Sequence, residues 1–121
     1  MENNDVLASK FGEMVIVMTH WIENLQNSKR VSSFFINLKY KKIAIYGTGF
    51  LSQLLQKELE NSDISIELIF DRNTIEKINE HKVDVIVVTS TYYYYEILEQ
   101  LTQIMKVECP IICIDDIVYK L

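Results

Sequence analysis

The sequence predicts an α/β fold of three layers, in which helices cover both faces of a four-stranded parallel sheet. Four short apolar runs, at residues 43–46, 64–70, 83–88 and 110–114, are typical of strands buried on both faces. Stretches with apolar residues at helical spacing separate these runs, and such alternation of strand and helix produces parallel sheets with right-handed crossovers. With 49% hydrophobic and 24% charged residues, the composition is that of a globular protein with a core.

Residues 1–40 are predicted to form an N-terminal helical extension to an α/β domain that occupies residues 41–121. Over residues 5–27, apolar side chains recur at the steps of three and four that define one helical face: Phe11, Val15, Met18, Ile22 and Leu25. Met14, Val17 and Trp21 widen this face. So broad a stripe is typical of a helix that lies over a sheet or packs against a second copy of itself. A second, short helix is predicted at residues 31–38.

The other elements follow in order along the α/β domain. The strand at residues 43–46 leads into a leucine-spaced helix at residues 48–61. After the second strand, Asn73 and Glu76 have the spacing of a capping box and predict one or two helical turns. The third strand leads into a helix at residues 92–105, and the fourth strand begins at a proline. Because sheets of this kind reverse direction beside their first strand, we predict the strand order 2-1-3-4.

A glycine turn joins the first strand to its helix, within the stretch IAIYGTGFLSQLL at residues 43–55. Such a turn presents unpaired backbone N–H groups and the positive end of a helix dipole, which together attract an anionic phosphate. Gly47 and Gly49 occupy the first two positions of the dinucleotide-binding fingerprint, and Ser52 occupies the third. The candidate nucleotide contacts at this turn are Gly47, Thr48, Gly49 and Phe50.

An acidic residue about 20 positions further on is the second half of the fingerprint, where it accepts a hydrogen bond from a ribose hydroxyl. Asp71 stands 22 residues after Gly49, at the end of the second strand. Arg72 beside it can meet a 2′-phosphate instead, so NAD-like and NADP-like ligands both stay open. In the competing interpretation, the glycines only permit the turn and Asp71 caps a short helix.

Hydroxyl side chains follow the third strand, at Thr89, Ser90 and Thr91. The predicted strand order places them across the crevice from Thr48, where Thr89 and Ser90 can contact a ribose or a phosphate. Their alternative role, as caps of the next helix, is the more common one for such residues. We expect Tyr92 at an interface or in solvent rather than against a ligand.

Groups suited to catalysis or metal binding are few. The histidines and cysteines of the chain are His20, His81, Cys109 and Cys113. Neither histidine has an obvious partner for acid–base work, and the cysteines lack the second pair or nearby histidine of a zinc site, so we expect both as reduced strand residues. The carboxylates at positions 115 and 116 are predicted on an extended segment, where neighbours face opposite ways. We predict no catalytic or metal-binding residue, and no activity of the chain alone.

Charge and hydropathy restrict the partners. The net charge is -5 and no cluster of Lys and Arg exceeds a pair, so nucleic acid is not an expected partner. The longest apolar run, residues 14–18, is far below the roughly 20 residues that span a bilayer. The N-terminal sequence MENNDVLASK is acidic and polar, unlike a secretory signal. We therefore expect a cytoplasmic protein with no membrane span.

Residues 42–71, together with VDVIVVTSTYYYYEILEQL, resemble the small Rossmann-like domains of bacterial surface-polysaccharide and sugar-nucleotide biosynthesis proteins. These include the nucleotide-binding modules of sugar acyltransferases and the CoA-binding-like segments of sugar-nucleotide dehydratases. The resemblance implies a Rossmann-like fold that binds NAD(P) or a nucleotide-sugar, with contacts at Gly47, Thr48, Gly49, Asp71 and Thr89. Ser52 departs from the usual glycine or small apolar residue of that pattern.

From these features we expect a non-catalytic domain that binds a nucleotide or nucleotide-sugar, as an accessory or sensor module in polysaccharide or sugar-nucleotide metabolism. Two alternatives stay open. One is a protein-interaction module with a vestigial nucleotide site, and the other is a truncated enzyme whose partner chain supplies the acid and base. We also expect a homodimer, formed through the N-terminal helix or through an edge of the sheet.

Overall fold

The computed structural model describes residues 3–121, so the first two residues of the predicted extension lie outside the described part. The helices are α1 (Asn4–Gln26), α2 (Val31–Asn37), α3 (Phe50–Leu59), α4 (Tyr94–Ile104) and α5 (Ile114–Tyr119). The strands are β1 (Lys42–Tyr46), β2 (Ser65–Phe70), β3 (Val85–Val88) and β4 (Ile111–Cys113). A 3₁₀ segment, Arg72–Glu80, connects β2 to β3 and is kinked at Thr74.

The four strands form one parallel sheet in the order β2-β1-β3-β4, which confirms the predicted fold class and strand order. β1 pairs with both β2 and β3, so the chain reverses direction beside its first strand. All four residues of β3 and the last four of β1 are buried, as expected for the central strands of a sheet covered on both faces. The crevice between the carboxyl ends of β1 and β3 is therefore the topological switch point of the sheet.

Successive side chains of the central strands enter two separate cores. Ile43 and Ile45 of β1 pack among side chains of α1, α2, α3 and α5 on one face of the sheet. Ala44 and Tyr46, which point the other way, pack with the 3₁₀ segment and α4 on the second face. The three layers of the prediction are thus present, and α1 and α2 belong to the first outer layer together with α3 and α5.

The face of α1 that is buried differs from the predicted one. Val17 and Trp21 are 2% and 0% exposed, whereas Phe11, Val15 and Ile22 of the predicted stripe are 55%, 56% and 51% exposed. The helix is therefore rotated so that the widening residues Met14, Val17 and Trp21 meet the core, and of the central residues Met18 packs against it. This rotation brings the Trp21 side chain, the largest in α1, fully into the core and its indole N–H to a hydrogen-bond acceptor on α3.

That acceptor is Glu58, whose carboxylate ties α1 and α2 to α3. The Trp21 indole Nε1 donates a hydrogen bond to Glu58 Oε1 at 3.0 Å, and the Val31 backbone N–H donates one to Oε2 at 2.7 Å. Val31 is the first residue of α2, and the N-cap residue Arg30 makes no hydrogen bond through its side chain to the start of this helix. The Glu58 carboxylate therefore supplies the acceptor that the first N–H of α2 lacks within its own helix. Asn24 Nδ2 adds a 2.8 Å bond to the Val118 carbonyl of α5.

Two local predictions are wrong. The segment after β4 is not extended, because Ile114, Ile117 and Val118 place a helical face into the core and form α5, with Asp115 and Asp116 in its first turn. The capping box after β2 is formed by Asp71 and Thr74 rather than by Asn73 and Glu76.

Candidate functional site

A cavity of about 310 Å³ opens at the switch point of the sheet. It is bounded by the turn after β1, the segment after β3 and the first half of α1. Its lining residues are Leu7, Lys10, Phe11, Met14, Gly47, Thr48, Gly49, Phe50, Leu51, Thr89, Ser90, Thr91 and Tyr92. Six of the eight sequence-predicted site residues line this cavity, and Asp71 and Arg72 do not.

Gly47 shapes the backbone of the turn. Its φ of +122° lies in the region that side chains other than glycine rarely adopt, and a Cβ added there would overlap with Thr89 Oγ1. Its backbone N–H donates a 2.8 Å hydrogen bond to the Phe70 carbonyl. Gly47 is thus required by the fold, and its amide is already paired within the sheet region.

Gly49 is different, because neither its backbone nor its neighbours require a glycine. It is the N-cap of α3 with an extended backbone, and a Cβ added there would meet no atom within 4 Å. As the N-cap, Gly49 offers no side chain to cap α3, so the first backbone N–H groups of the helix have no intrahelical partner, and Gly49, Phe50 and Leu51 at this helix start line the cavity. The missing side chain leaves space beside amides that carry the positive end of the α3 dipole.

Ser52, at the third fingerprint position, is fully buried. Its Oγ accepts a hydrogen bond from Gln56 Nε2 at 3.1 Å, which satisfies the hydroxyl within the helix. A small side chain here lets α3 pack closely on β1, which is the role that the third glycine has in the fingerprint.

The hydroxyl residues after β3 divide between structure and cavity. The Thr89 side chain is 6% exposed, and its Oγ1 and its backbone N–H both lie 3.0 Å from the Tyr46 carbonyl, so it joins the ends of β3 and β1. Ser90 and Thr91 are half-buried at the cavity wall. The alternative role as caps is wrong, because α4 starts later and its N-cap residue is Tyr93.

Asp71 acts as a helix cap. Its Oδ1 accepts hydrogen bonds from the Asn73 backbone N–H at 2.9 Å and from Thr74 Oγ1 at 3.2 Å, while Thr74 Oγ1 accepts the Asp71 N–H at 3.0 Å. Burial, followed by the negative charge of Asp71, raises the pKa of the Tyr46 phenol. Arg72 lies along a separate groove beside the 3₁₀ segment. Asp71 therefore has the role that the competing interpretation gave it, because its carboxylate caps a short helix.

The α1 wall was not predicted from the sequence. Leu7, Lys10, Phe11 and Met14 close the side of the cavity opposite the glycine turn. The ammonium group of Lys10 lies 5.0 Å from the centroid of the Tyr93 ring, and Glu13 Oε2 accepts a 3.3 Å hydrogen bond from Thr91 Oγ1. Lys10 is the one Lys or Arg of α1, and a single basic residue on a helix rich in apolar residues was the signal in the sequence that could have indicated this wall.

The ionisable lining residues in the described chain are Lys10 and Tyr92. His20 lies further along α1, where its ring meets the Tyr119 ring edge-on at 4.7 Å. Cys113 is buried in β4, and this burial, followed by the nearby Asp115, raises the pKa of its thiol. Cys109 is half-buried in the loop before β4 and not in a strand, contrary to prediction. Among the described residues, the one charged side chain that lines the cavity is therefore that of Lys10.

Comparison with protein-family models, with curated proteins and with solved structures found no match for this chain. The resemblance to polysaccharide-biosynthesis domains therefore stays a prediction. Across residues 3–121, no helix has the length and apolar character needed to cross a bilayer.

Proposed function

We propose that this protein binds a nucleotide or a nucleotide-sugar in the cavity between α1 and the glycine turn, without catalysing a reaction on its own. The observation that carries the proposal is the open space at Gly49, which lies beside the uncapped start of α3. A phosphate there would accept hydrogen bonds from the free amides and would be stabilised by the helix dipole. Lys10 also lines the cavity, and its ammonium group, 5.0 Å from the centroid of the Tyr93 ring, adds a positive charge beside it.

Aromatic side chains at the cavity support a ligand that also carries a ring. Phe11, Phe50 and Tyr92 line it and are 55%, 65% and 37% exposed. Exposed aromatic faces stack on bases and sugar rings, and the tyrosine hydroxyl can bond to them. The volume of about 310 Å³ is near the lower end of the usual range for ligand pockets, so it suits a mononucleotide unit. The remainder of NAD(P) or of a nucleotide-sugar would extend outside.

The cellular role that we propose rests on the sequence resemblance alone. A domain that binds such a ligand without chemistry of its own would serve as an accessory or sensor module in polysaccharide or sugar-nucleotide metabolism. These ligands are cytoplasmic metabolites, and we place the protein in that compartment.

Thermal unfolding in the presence of NAD, NADP, a UDP-sugar, CoA and UMP tests the proposal. A ligand present at about 100 times its Kd adds about 2.7 kcal/mol to the free energy of unfolding. Gly49→Val should abolish the response because its side chain fills the space proposed for phosphate. Gln103→Val is the control, since Gln103 is an exposed residue of α4 that does not line the cavity. No response to any ligand, or an unchanged response in folded Gly49→Val, would contradict the proposal.

A protein-interaction module is the second candidate function, and the half-exposed apolar residues of α1 favour it. Binding of a ligand and assembly with a partner are compatible, because most of the exposed apolar residues of α1 do not line the cavity.

A further inference from the structure

One face of α1 carries a row of apolar side chains that are exposed to solvent, except for Met18, which is half-buried at the edge of the core. We call this row the α1 seam; its residues alternate at steps of three and four along the helix: Ala8, Phe11, Val15, Met18, Ile22 and Leu25. Phe11, Val15 and Ile22 are more than half exposed and Leu25 is 37% exposed. A patch of a few hundred Å² is about the largest apolar patch that a soluble monomer exposes, and such patches often mark interaction sites.

We propose that the α1 seam is the interface with a second copy of this chain, and that the α1 helix of that copy covers one side of the cavity. A strict alternation of three and four is the repeat of a two-helix coiled coil, in which each seam residue inserts between residues of the facing helix. This spacing suits a helix as the occupant, and the absence of charge at the positions beside the seam favours a second copy of α1 as that helix.

The positions that flank the seam are suited to self-association. On one side they are Leu7, Met14 and Trp21, of which Met14 and Trp21 pack into the core of the same chain, and on the other the exposed residues Gly12, Thr19 and Gln26. None of these six carries a charge, so two copies would meet without like-charge repulsion at the seam. Gly12 and Ala8 also allow the two backbones to approach closely.

The area of the seam is sufficient for a dimer of moderate affinity. The helix has 23 residues, so it extends about 34 Å. Fully exposed side chains of this size present about 150 to 200 Å² each, so the exposed parts of the seam and of Leu7 supply about 400 to 500 Å² per copy. Standard interfaces bury about 600 to 1,000 Å² per partner, and the exposed flanking residues Gly12, Thr19 and Gln26 bring the seam to about the lower end of that range. We expect a Kd in the micromolar range.

Phe11 and Leu7 connect the proposed interface to the cavity. Both line the cavity, and Phe11 is also a seam residue. A helix that packs on Phe11, in either the parallel or the antiparallel orientation, lies against the side of the cavity that α1 forms. The second copy therefore narrows the cavity opening and removes Phe11 from solvent. This geometry holds whether or not the cavity binds the ligand proposed above.

Analytical ultracentrifugation from about 1 to about 100 µM tests the interface, because this interval brackets a micromolar Kd. We expect a monomer–dimer equilibrium for the unaltered chain. Val15→Glu and Ile22→Glu should each weaken dimerisation at least tenfold, because they place charges in an apolar seam. Ile16→Glu is the matched control: Ile16 is 55% exposed but lies on another face of α1, so this variant should still dimerise. Circular dichroism establishes that each variant is folded.

Thiol labelling tests the second half of the proposal. Phe11→Cys and Ile16→Cys place cysteines at positions that are equally exposed, at 55%, in the single chain. At concentrations above the Kd we expect labelling at position 11 to be at least tenfold slower than at position 16, after correction for the native cysteines. Adding Val15→Glu should remove the difference. A monomer at all concentrations, equal disruption by Ile16→Glu, or equal labelling rates at the two positions would overturn the proposal.

Discussion

Replacing Gly47 by alanine should destabilise the protein by about 2 to 4 kcal/mol. The φ of +122° is outside the conformations that alanine tolerates, and such strain costs about 1 to 3 kcal/mol. The added Cβ also overlaps with Thr89 Oγ1, which must rotate and lose its hydrogen bond to the Tyr46 carbonyl, at about 1 to 2 kcal/mol. Reduced freedom of the unfolded chain offsets about 0.4 to 1 kcal/mol.

The two contributions can be separated by a second substitution. In a Thr89→Ala background the overlapping hydroxyl is gone, and the nearest remaining side-chain atom, Cβ of residue 89, is 3.5 Å from the new methyl group. That is an ordinary van der Waals distance. The cost of Gly47→Ala should therefore fall by about 1 to 2 kcal/mol, which leaves the backbone strain alone.

Urea unfolding followed by far-ultraviolet circular dichroism measures these free energies. For 121 residues, unfolding entropy is about 0.25 kcal/mol per degree, so Gly47→Ala should also lower Tm by about 8 to 16 °C. Gly49→Ala is the control and should cost no more than about 1 kcal/mol, because alanine is a poorer N-cap than glycine but its methyl group meets no atom within 4 Å. A cost below about 1 kcal/mol for Gly47→Ala, or an equal cost in both backgrounds, would refute this account of the turn.

Three further predictions concern polar side chains that stabilise the fold. Glu58→Ala should cost about 2 to 4 kcal/mol in urea unfolding, because it leaves two buried N–H donors unpaired, whereas Glu60→Ala on the exposed side of the same region should cost less than about 0.5 kcal/mol. Ser52→Leu should cost about 1 to 3 kcal/mol by overpacking a fully buried position, and an equally stable Ser52→Leu variant would contradict the close packing of α3 on β1. Hydrogen bonds from the Lys42 and Lys41 backbone N–H groups lower the pKa of Asp84 in the folded protein. The Asp84 carboxylate therefore stabilises the fold fully above its unfolded-state pKa of about 4, and this stabilisation is lost as the pH falls through the lower pKa of the folded state. The stability difference between the unaltered chain and Asp84→Asn should therefore be constant above about pH 5 and shrink on acidification; a constant difference down to pH 3 would argue against this.

The strands and their order were predictable because their signals are local and strong. Continuous runs such as VDVIVV mark central strands, and a glycine directly after β1 marks the turn into α3. The side of the fold on which each helix packs depends on distant residues. Periodicity identified the apolar residues of α1, but which of them are buried depends on the core side chains of other elements against which Val17 and Trp21 pack.

The site was only partly predictable, for the same reason. The spacing from Gly49 to Asp71 suits a ribose contact, yet Thr74 is near enough in the chain to recruit that carboxylate as a cap. The contribution of Lys10 and Phe11 to the cavity depends on where α1 crosses the sheet. No motif in the first 40 residues encodes that position.

The hydrogen-bonded indole of Trp21 has a spectroscopic consequence. Trp21 is the single tryptophan of the chain, and it is fully removed from water against the Glu58 carboxylate. Intrinsic fluorescence excited at the indole band therefore reports on one site, the place where α1 packs against α3 and the core. Any event that lifts this helix while the sheet stays intact would shift the emission to longer wavelengths without an added dye.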